Sequence, residues 1–423
     1  MTGALGGSMP VDSGSTAWML VSSALVLLMV PGLALFYGGL VRRKNVLTTI
    51  LQSFAAMAII GVQWIVIGYA LAFGPSLGGW IGWDPSLIGL VGLPYTRNFA
   101  DKAIPELVFV MFQGKFAIIT PALIAGAVAE RMKFSAYVLF VLLWTTLVYC
   151  PLAHWVWAPG GWLFRYGVLD FAGGTVVHIS SGISALVLAF LLGPRRDYRP
   201  GHTAILPHNL TLTMLGAGLL WFGWFGFNAG SAVAADHPVA GYVAGLAFAT
   251  TQTAAAAGAL TWLLIEWRRQ RRPTSLGLAS GILAGLVAIT PAAGYVIPAA
   301  ALLFGVLAAG ACYGAVQLKQ RLGYDDSLDA FGVHGVGGML GALLTGVFCF
   351  TPVAGWALGG GAAQLVKQAA GVGVAVVFAA LGTLLIAGVL KATIGLRATD
   401  EQERDGLDVT VHGERAYHQV ISS

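Results

Sequence analysis

Two histidines stand where ionisable side chains are costly. His178 lies in the run Gly173-Gly174-Thr175-Val176-Val177-His178-Ile179-Ser180. His334 lies in Phe331-Gly332-Val333-His334-Gly335-Val336-Gly337-Gly338. Both runs are apolar and rich in glycine, and an ionisable group in such a setting marks a pathway or a proton relay by default. Neutral imidazoles carry one N–H and one lone pair each, so a facing pair offers a donor and an acceptor. Metal binding is the competing chemistry, but two histidines with no third ligand nearby make a poor site. Each histidine follows an acid: Asp170 eight residues before His178, Asp329 five before His334. Asp170 fits a helix N-cap, its carboxylate accepting free backbone N–H groups, and Asp329 is expected to do the same.

Aromatic residues form a second set. Phe112-Gln113-Gly114-Lys115-Phe116, His154-Trp155-Val156-Trp157 and Trp221-Phe222-Gly223-Trp224-Phe225-Gly226-Phe227-Asn228-Ala229-Gly230-Ser231 each lie inside or end an apolar stretch. Tryptophan at a membrane boundary is commonly an anchor. Its face also attracts small cations, and a hydroxyl such as Ser231 can accept an N–H.

The elements that must carry these residues are membrane helices. Hydrophobic residues make up 57% of the 423 and charged residues 10%. Soluble domains are about a quarter charged, so a soluble protein and a disordered chain are both excluded. Glycine is abundant, at 58 residues, but without a triplet period. In a membrane bundle it allows close helix approach, and Gly277, Gly281 and Gly285, Gly241 and Gly245, Gly310 and Gly314, and Gly337 and Gly341 are spaced for it. Eleven apolar stretches have roughly the length a crossing helix needs. They are 16–40, 46–73, 105–130, 135–157, 171–193, 203–231, 238–267, 275–292, 296–319, 329–350 and 370–396. Pro31, Pro121 and Pro151 fall within them and are expected to kink their helices. No basic leader precedes the first stretch, so no signal peptide is expected. Cys150, Cys312 and Cys349 show no metal or disulfide spacing and are expected to be inert packing.

Alternate loops carry the cations: Arg42, Arg43 and Lys44; Arg131 and Lys133; Arg195, Arg196 and Arg199; Arg268, Arg269, Arg271 and Arg272; Lys319 and Arg321. The positive-inside rule then places the N-terminus outside and the C-terminus in the cytoplasm. It also accounts for the net charge of +5 without a nucleic-acid partner. The histidines fall in the fifth and tenth stretches, whose preceding loops lie on opposite sides. That is the pattern of two five-helix halves of opposite orientation, with a path at their interface. Residues 1–396 are read as the membrane domain and 397–423 as a short polar cytoplasmic tail. No nucleophile elbow, phosphate loop or dinucleotide fingerprint occurs in its required context, so an enzyme is not expected.

Read together, these segments resemble the Amt/MEP/Rh family of ammonium transporters, on its bacterial Amt side. The resemblance begins at Pro31-Gly32-Leu33-Ala34-Leu35-Phe36-Tyr37-Gly38-Gly39 and runs through Phe112-Gln113-Gly114, Ala129-Glu130-Arg131-Met132 and Leu169-Asp170-Phe171-Ala172-Gly173-Gly174. It continues in Trp224 to Ser231, Ala288-Ile289-Thr290-Pro291-Ala292 and Asp329 to His334, and ends at Gly406-Leu407-Asp408 and His412-Gly413-Glu414. The ordered set covers nearly the whole chain and is highly specific.

The resemblance implies eleven membrane helices, an inverted five-plus-five repeat with a final helix, and a homotrimer with one pore per subunit. It implies that ammonium, ammonia and methylammonium cross the cell membrane without a cofactor. It assigns the paired pore histidines to His178 and His334, the outer recruitment site to Trp157, Phe116 and Ser231, and the gate to Phe116 with Phe227. Asp170 becomes the buried acid under the recruitment region, and Trp224 and Thr290 line the pore. A cytoplasmic PII-type signalling protein is implied as partner, contacting the basic loops and the tail near Asp408. Two departures stand out. Lys115 occupies a place beside Phe116 where a small or apolar residue is expected, and Val411 one where a polar residue is expected. Two other readings stay open: an ammonium sensor that signals through its tail with little flux, and a neutral-gas channel of the Rh type.

Overall fold

The structure, a computed structural model, describes residues 10–99, 102–199, 205–233, 238–350 and 359–417. Backbone groups in lipid must be satisfied within the segment, and helices do this. The helices are α1 (Ser13–Leu40), α2 (Arg43–Phe73), α3 (Glu106–Val128), α4 (134–157), α5 (Gly174–Leu192) and α6 (Leu210–Gly230). They continue with α7 (Pro238–Gln270), α8 (Ser275–Ile289), α9 (Pro298–Leu322), α10 (Phe331–Phe348) and α11 (Ala362–Thr393). Two short tail helices follow, α12 (Asp400–Asp405) and α13 (Leu407–His412).

Among the described residues ten helical segments are long and apolar enough to cross a membrane, and the chain is a multi-pass membrane protein. The stretch expected at 275–292 differs. Its helix α8 has 15 residues, about 22 Å against a hydrocarbon core of ~30 Å. Pro291 cannot donate an N–H, and residues 290–295 run as turns. The stretch expected at 203–231 forms helix only from Leu210, and its first two positions lie outside the described residues. The final helix starts at Ala362, eight residues before the expected 370. The chain is also not wholly helical: β1 (Ser76–Leu77) pairs antiparallel with β2 (Ile81–Gly82) in the loop after α2.

The packing repeats with a shift of five helices. In the first half α1 meets α2 and α3, α2 meets α4, and α3 meets α5. In the second α6 meets α7 and α8, α7 meets α9, and α8 meets α10. The halves join along α1 and α6, where a Cβ on Gly216 would lie 2.3 Å from the Phe36 nitrogen. Helix α11 stands outside this repeat, against α4, α5 and α10. The small-residue spacings divide. Gly277, Gly281 and Gly285 face α7, and Gly341 faces Ala288, whereas Gly245, Gly310 and Gly314 meet nothing within 4 Å.

The loops rich in cations gather on one face, locked by buried charge. Glu130 accepts from the Arg42 main-chain N–H at 2.6 Å and from Arg195 Nη1 at 3.1 Å. Arg195 grips both Asp325 carboxylate oxygens, Nε at 2.8 Å and Nη2 at 2.9 Å. Burial alone would raise the Glu130 carboxyl, but Arg195 and Arg42 outweigh it and hold it below the usual range. Burial is likewise outweighed at Asp325, by the hydrogen bonds and charge of Arg195. The tail closes over this face. Asp408 caps α2, accepting from Thr48 N at 2.7 Å and Leu47 N at 3.0 Å, and Lys44 Nζ donates to the Glu403 carbonyl at 2.7 Å. The end of the tail, 418–423, lies outside the described residues.

Candidate functional site

Helices α5 and α10 open in the same way. Asp170 Oδ1 accepts from Gly173 N at 2.9 Å and Gly174 N at 2.6 Å, and Oδ2 from Thr175 N at 2.9 Å and Val176 N at 3.0 Å. Gly173 takes φ +115° there, a conformation that glycine adopts freely. At α10 the capping acid is Asp326, not the expected Asp329. Its Oδ1 accepts from Ala330 N at 3.1 Å and its Oδ2 from Phe331 N at 2.8 Å. Asp329 is drawn instead into an ion pair with Lys319. The correction restores symmetry: Asp326 precedes His334 by eight residues, as Asp170 precedes His178. That equal spacing was the available signal. Both histidines then fall in π-helical turns, Gly174–Ile179 and Phe331–Gly335. Such wide turns recur at functional sites.

The two rings meet across the half-to-half interface. His334 Nδ1 lies 3.2 Å from His178 Nδ1, with ring centroids 5.2 Å apart and planes at 18°. Of two facing Nδ1 atoms one must donate and the other accept. The pair therefore holds opposite tautomers, and its two Nε2 atoms are one donor and one acceptor. His178 Nε2 is buried without a hydrogen-bond partner. The His178 ring lines a void of ≈ 10 Å³ together with Leu33, Tyr37, Trp224, Phe227 and His334, about the space of one water-sized molecule. The close approach depends on Gly182, where a Cβ would lie 2.2 Å from the Gly335 nitrogen.

A column of rings leads away from the pair. His178 stacks on Trp224 at 5.4 Å and 19°. Trp224 Nε1 donates to Thr290 Oγ1 at 2.9 Å, and Thr290 in turn donates to the Leu286 carbonyl. Phe227 sits 6.1 Å from His178 and 4.2 Å from Phe116, tilted by 32° to the latter. Trp157 meets Phe116 edge-on at 5.9 Å, and its indole N–H donates to the Asp170 carbonyl at 3.0 Å. Ser231 donates to the Phe227 carbonyl at 2.8 Å, and among the described residues no hydrogen bond joins it to Trp157. Lys115 is half-buried on α3 and makes no ion pair among the described residues.

On the basic face His334 borders a vestibule of ≈ 470 Å³. His334, Phe36, Arg195, Arg199, Lys319 and Asp329 are among its lining residues. Lys319 was legible in the sequence only as one of the cations of that face. Among the described residues no group of three or more His, Cys, Asp or Glu is placed to hold a metal. The three cysteines are free and buried.

Residues 17–417 match the family model described as Ammonium Transporter Family. The chain is 49% identical over 418 residues to a protein of Bacillus subtilis (strain 168) named "Ammonium transporter", covering 97% of this chain and 100% of that one. The crystal structure of Saccharomyces cerevisiae Mep2 superposes with a TM-score of 0.85 at 38% identity, covering 93% of this chain and 89% of that one. A structure described as "Sensor Amt Protein" superposes at 0.84 with 32% identity, covering 93% and 97%.

Proposed function

The chain belongs to the ammonium transporter family and moves ammonium across a membrane, and we propose that it does so by removing a proton and passing ammonia between His178 and His334. The problem to be solved is selectivity. Ammonium and potassium have nearly the same radius, so size does not separate them. Ammonium donates hydrogen bonds and can shed a proton; potassium does neither. An ion at the bilayer centre costs at least about 3 kcal/mol, and a narrow apolar path turns that cost into a sieve.

Ammonium is collected at the outer mouth by Trp157, Phe116 and Ser231, through the aromatic faces and one hydroxyl. It loses its proton at or below the Phe116–Phe227 gate, with Asp170 supporting the site; the proton travels separately along His178 and His334 and rejoins ammonia in the inner vestibule, so net charge crosses. Ammonia then passes the twin histidines, beside Trp224 and Thr290, into the inner vestibule. The observation that carries this reading is the His178–His334 contact, in which His178 Nε2 is buried without a partner and both rings line a void of one-molecule size. Ammonia is both donor and acceptor, and the pair offers one of each.

The wider organisation follows the same reading. The five-helix shift in the packing supports an inverted repeat, with α8 as the eighth of eleven spans. The gathering of basic loops supports a cytoplasmic location for that face in the cell membrane, with the N-terminus outside. Residues 1–396 form the transport unit and 397–423 its tail. The functional assembly is a homotrimer with one pore per subunit. Methylammonium is a second substrate, and a PII-type protein is the regulatory partner at the basic face.

The test is the current evoked by ammonium pulses in proteoliposomes on a solid-supported membrane. A saturable ammonium response absent with potassium is expected. In a His178→Ala, His334→Ala variant potassium is expected to pass as well. Unchanged ammonium selectivity in that variant sinks the twin-histidine sieve.

A further inference from the structure

The inner vestibule already contains an ammonium group, that of Lys319. Its side chain comes from the last turn of α9 and is 11% exposed. Its Nζ donates to the Asp326 carbonyl at 2.8 Å and pairs with the Asp329 carboxylate. Lys319 and Asp329 line the same cavity as His334. Of the other two cations there, Arg195 is spent on Asp325 and Glu130, and Arg199 makes no ion pair among the described residues. Asp329 is the one carboxylate lining the vestibule among the described residues, so it is the natural resting place for ammonium re-formed there. The outer half shows what the same frame looks like without a lysine. The carbonyl of the equivalent acid, Asp170, takes the Trp157 indole N–H.

We propose that Lys319 is a resident counter-ion that keeps transported ammonium off Asp329, so that the inner mouth binds ammonium more weakly than the outer one. The proposal rests on the transport reading above. It leaves the end point of transport untouched, because the path is passive. At zero membrane potential the ratio of maximal rate to half-saturation is the same in both directions. A higher half-saturation from inside therefore comes with a proportionately higher maximal rate.

The experiment uses right-side-out and everted vesicles from cells in which this chain is the sole ammonium transporter. Labelled methylammonium is the probe, and flux from vesicles lacking the protein is subtracted. The wild type is expected to half-saturate at a higher concentration from the inner side. Lys319→Met is expected to lower the inner value about fivefold, the weight of a partly exposed ion pair, and to leave the outer value unchanged. Adding Asp329→Asn to Lys319→Met is expected to abolish that gain. The proposal is overturned if Lys319→Met leaves the inner value unchanged, or if the double variant keeps the gain. Where Lys319→Met fails to fold, Asp329→Asn alone decides. It leaves the lysine without its ion-pair partner and is expected to raise the inner half-saturation; no change overturns the proposal. Wild-type vesicles silent in both orientations overturn the transport reading and this one with it.

Discussion

The acid–histidine units at α5 and α10 share a frame and differ in what surrounds it. Each acid precedes its histidine by eight residues, caps its helix and leads into a π-helical turn. Asp170 holds four backbone N–H groups, and its carbonyl takes an indole N–H. Asp326 holds two, and its carbonyl takes a lysine ammonium. The first unit lies beside the tilted Phe116–Phe227 pair; the second opens on the vestibule of ≈ 470 Å³. One backbone device thus sits in two settings of different character, and the neighbours rather than the device set that character.

The strongest way to break this comparison is to remove the acids one at a time. Asp170→Ala strands four buried N–H groups and is expected to cost about 4 kcal/mol of stability and more than tenfold in methylammonium uptake. Asp326→Ala strands two and is expected to cost about half as much, ~2 kcal/mol. Thermal unfolding of the purified variants together with uptake rates measures both. Equal losses at the two positions mean that the units are equivalent and the comparison fails.

A smaller effect sharpens it. Trp224→Phe keeps the ring over His178 but deletes the 2.9 Å bond to Thr290. About 1 kcal/mol is expected to be lost, with uptake reduced less than by Asp326→Ala. A larger uptake loss than that makes the Trp224 N–H part of the conduction path.

The smallest expected response is to acid on the basic face, which has the Glu130–Arg195–Asp325 lock. Both carboxyls are held below their ordinary values. A depressed folded-state value adds stability above the unfolded value, about 4 for either group, and that stability is lost as pH falls through the folded value. Protection of the Arg42 and Arg195 amides, which donate to these carboxylates, is therefore expected to stay flat from pH 7 to 5 and to fall below about pH 4. Hydrogen exchange corrected for intrinsic rate reads it. A loss between pH 7 and 5 disproves the assignment.

Much of this was legible in the residues. His178 and His334 announce themselves because nothing else in their runs titrates. Phe116, Phe227 and Trp157 were placed by resemblance, and their ring contacts form one column. Asp326 was missed because three acids, Asp325, Asp326 and Asp329, closely precede His334; the eight-residue spacing singles out Asp326, and Arg195 and Lys319 engage the other two. Lys319 was missed as an individual because a lysine in the last turn of a helix is commonplace. Its partner Asp329 lies ten residues on, beyond a turn that the local pattern does not reveal. The length of α8 was overestimated because hydropathy is blind to the missing N–H of Pro291.

The lock on the basic face also has a history in time. Arg42 and Glu130 are 88 residues apart, Arg195 and Asp325 are 130 apart, and Lys44 and Glu403 are 359 apart. A ribosome adds about 5–20 residues per second. Arg195 is therefore made roughly 6–26 seconds before Asp325, and until then Glu130 is its sole carboxylate partner in the lock. The lock is therefore half closed once the first five helices and Arg195 have been made, and the tail residues that complete it are made only after all eleven helices.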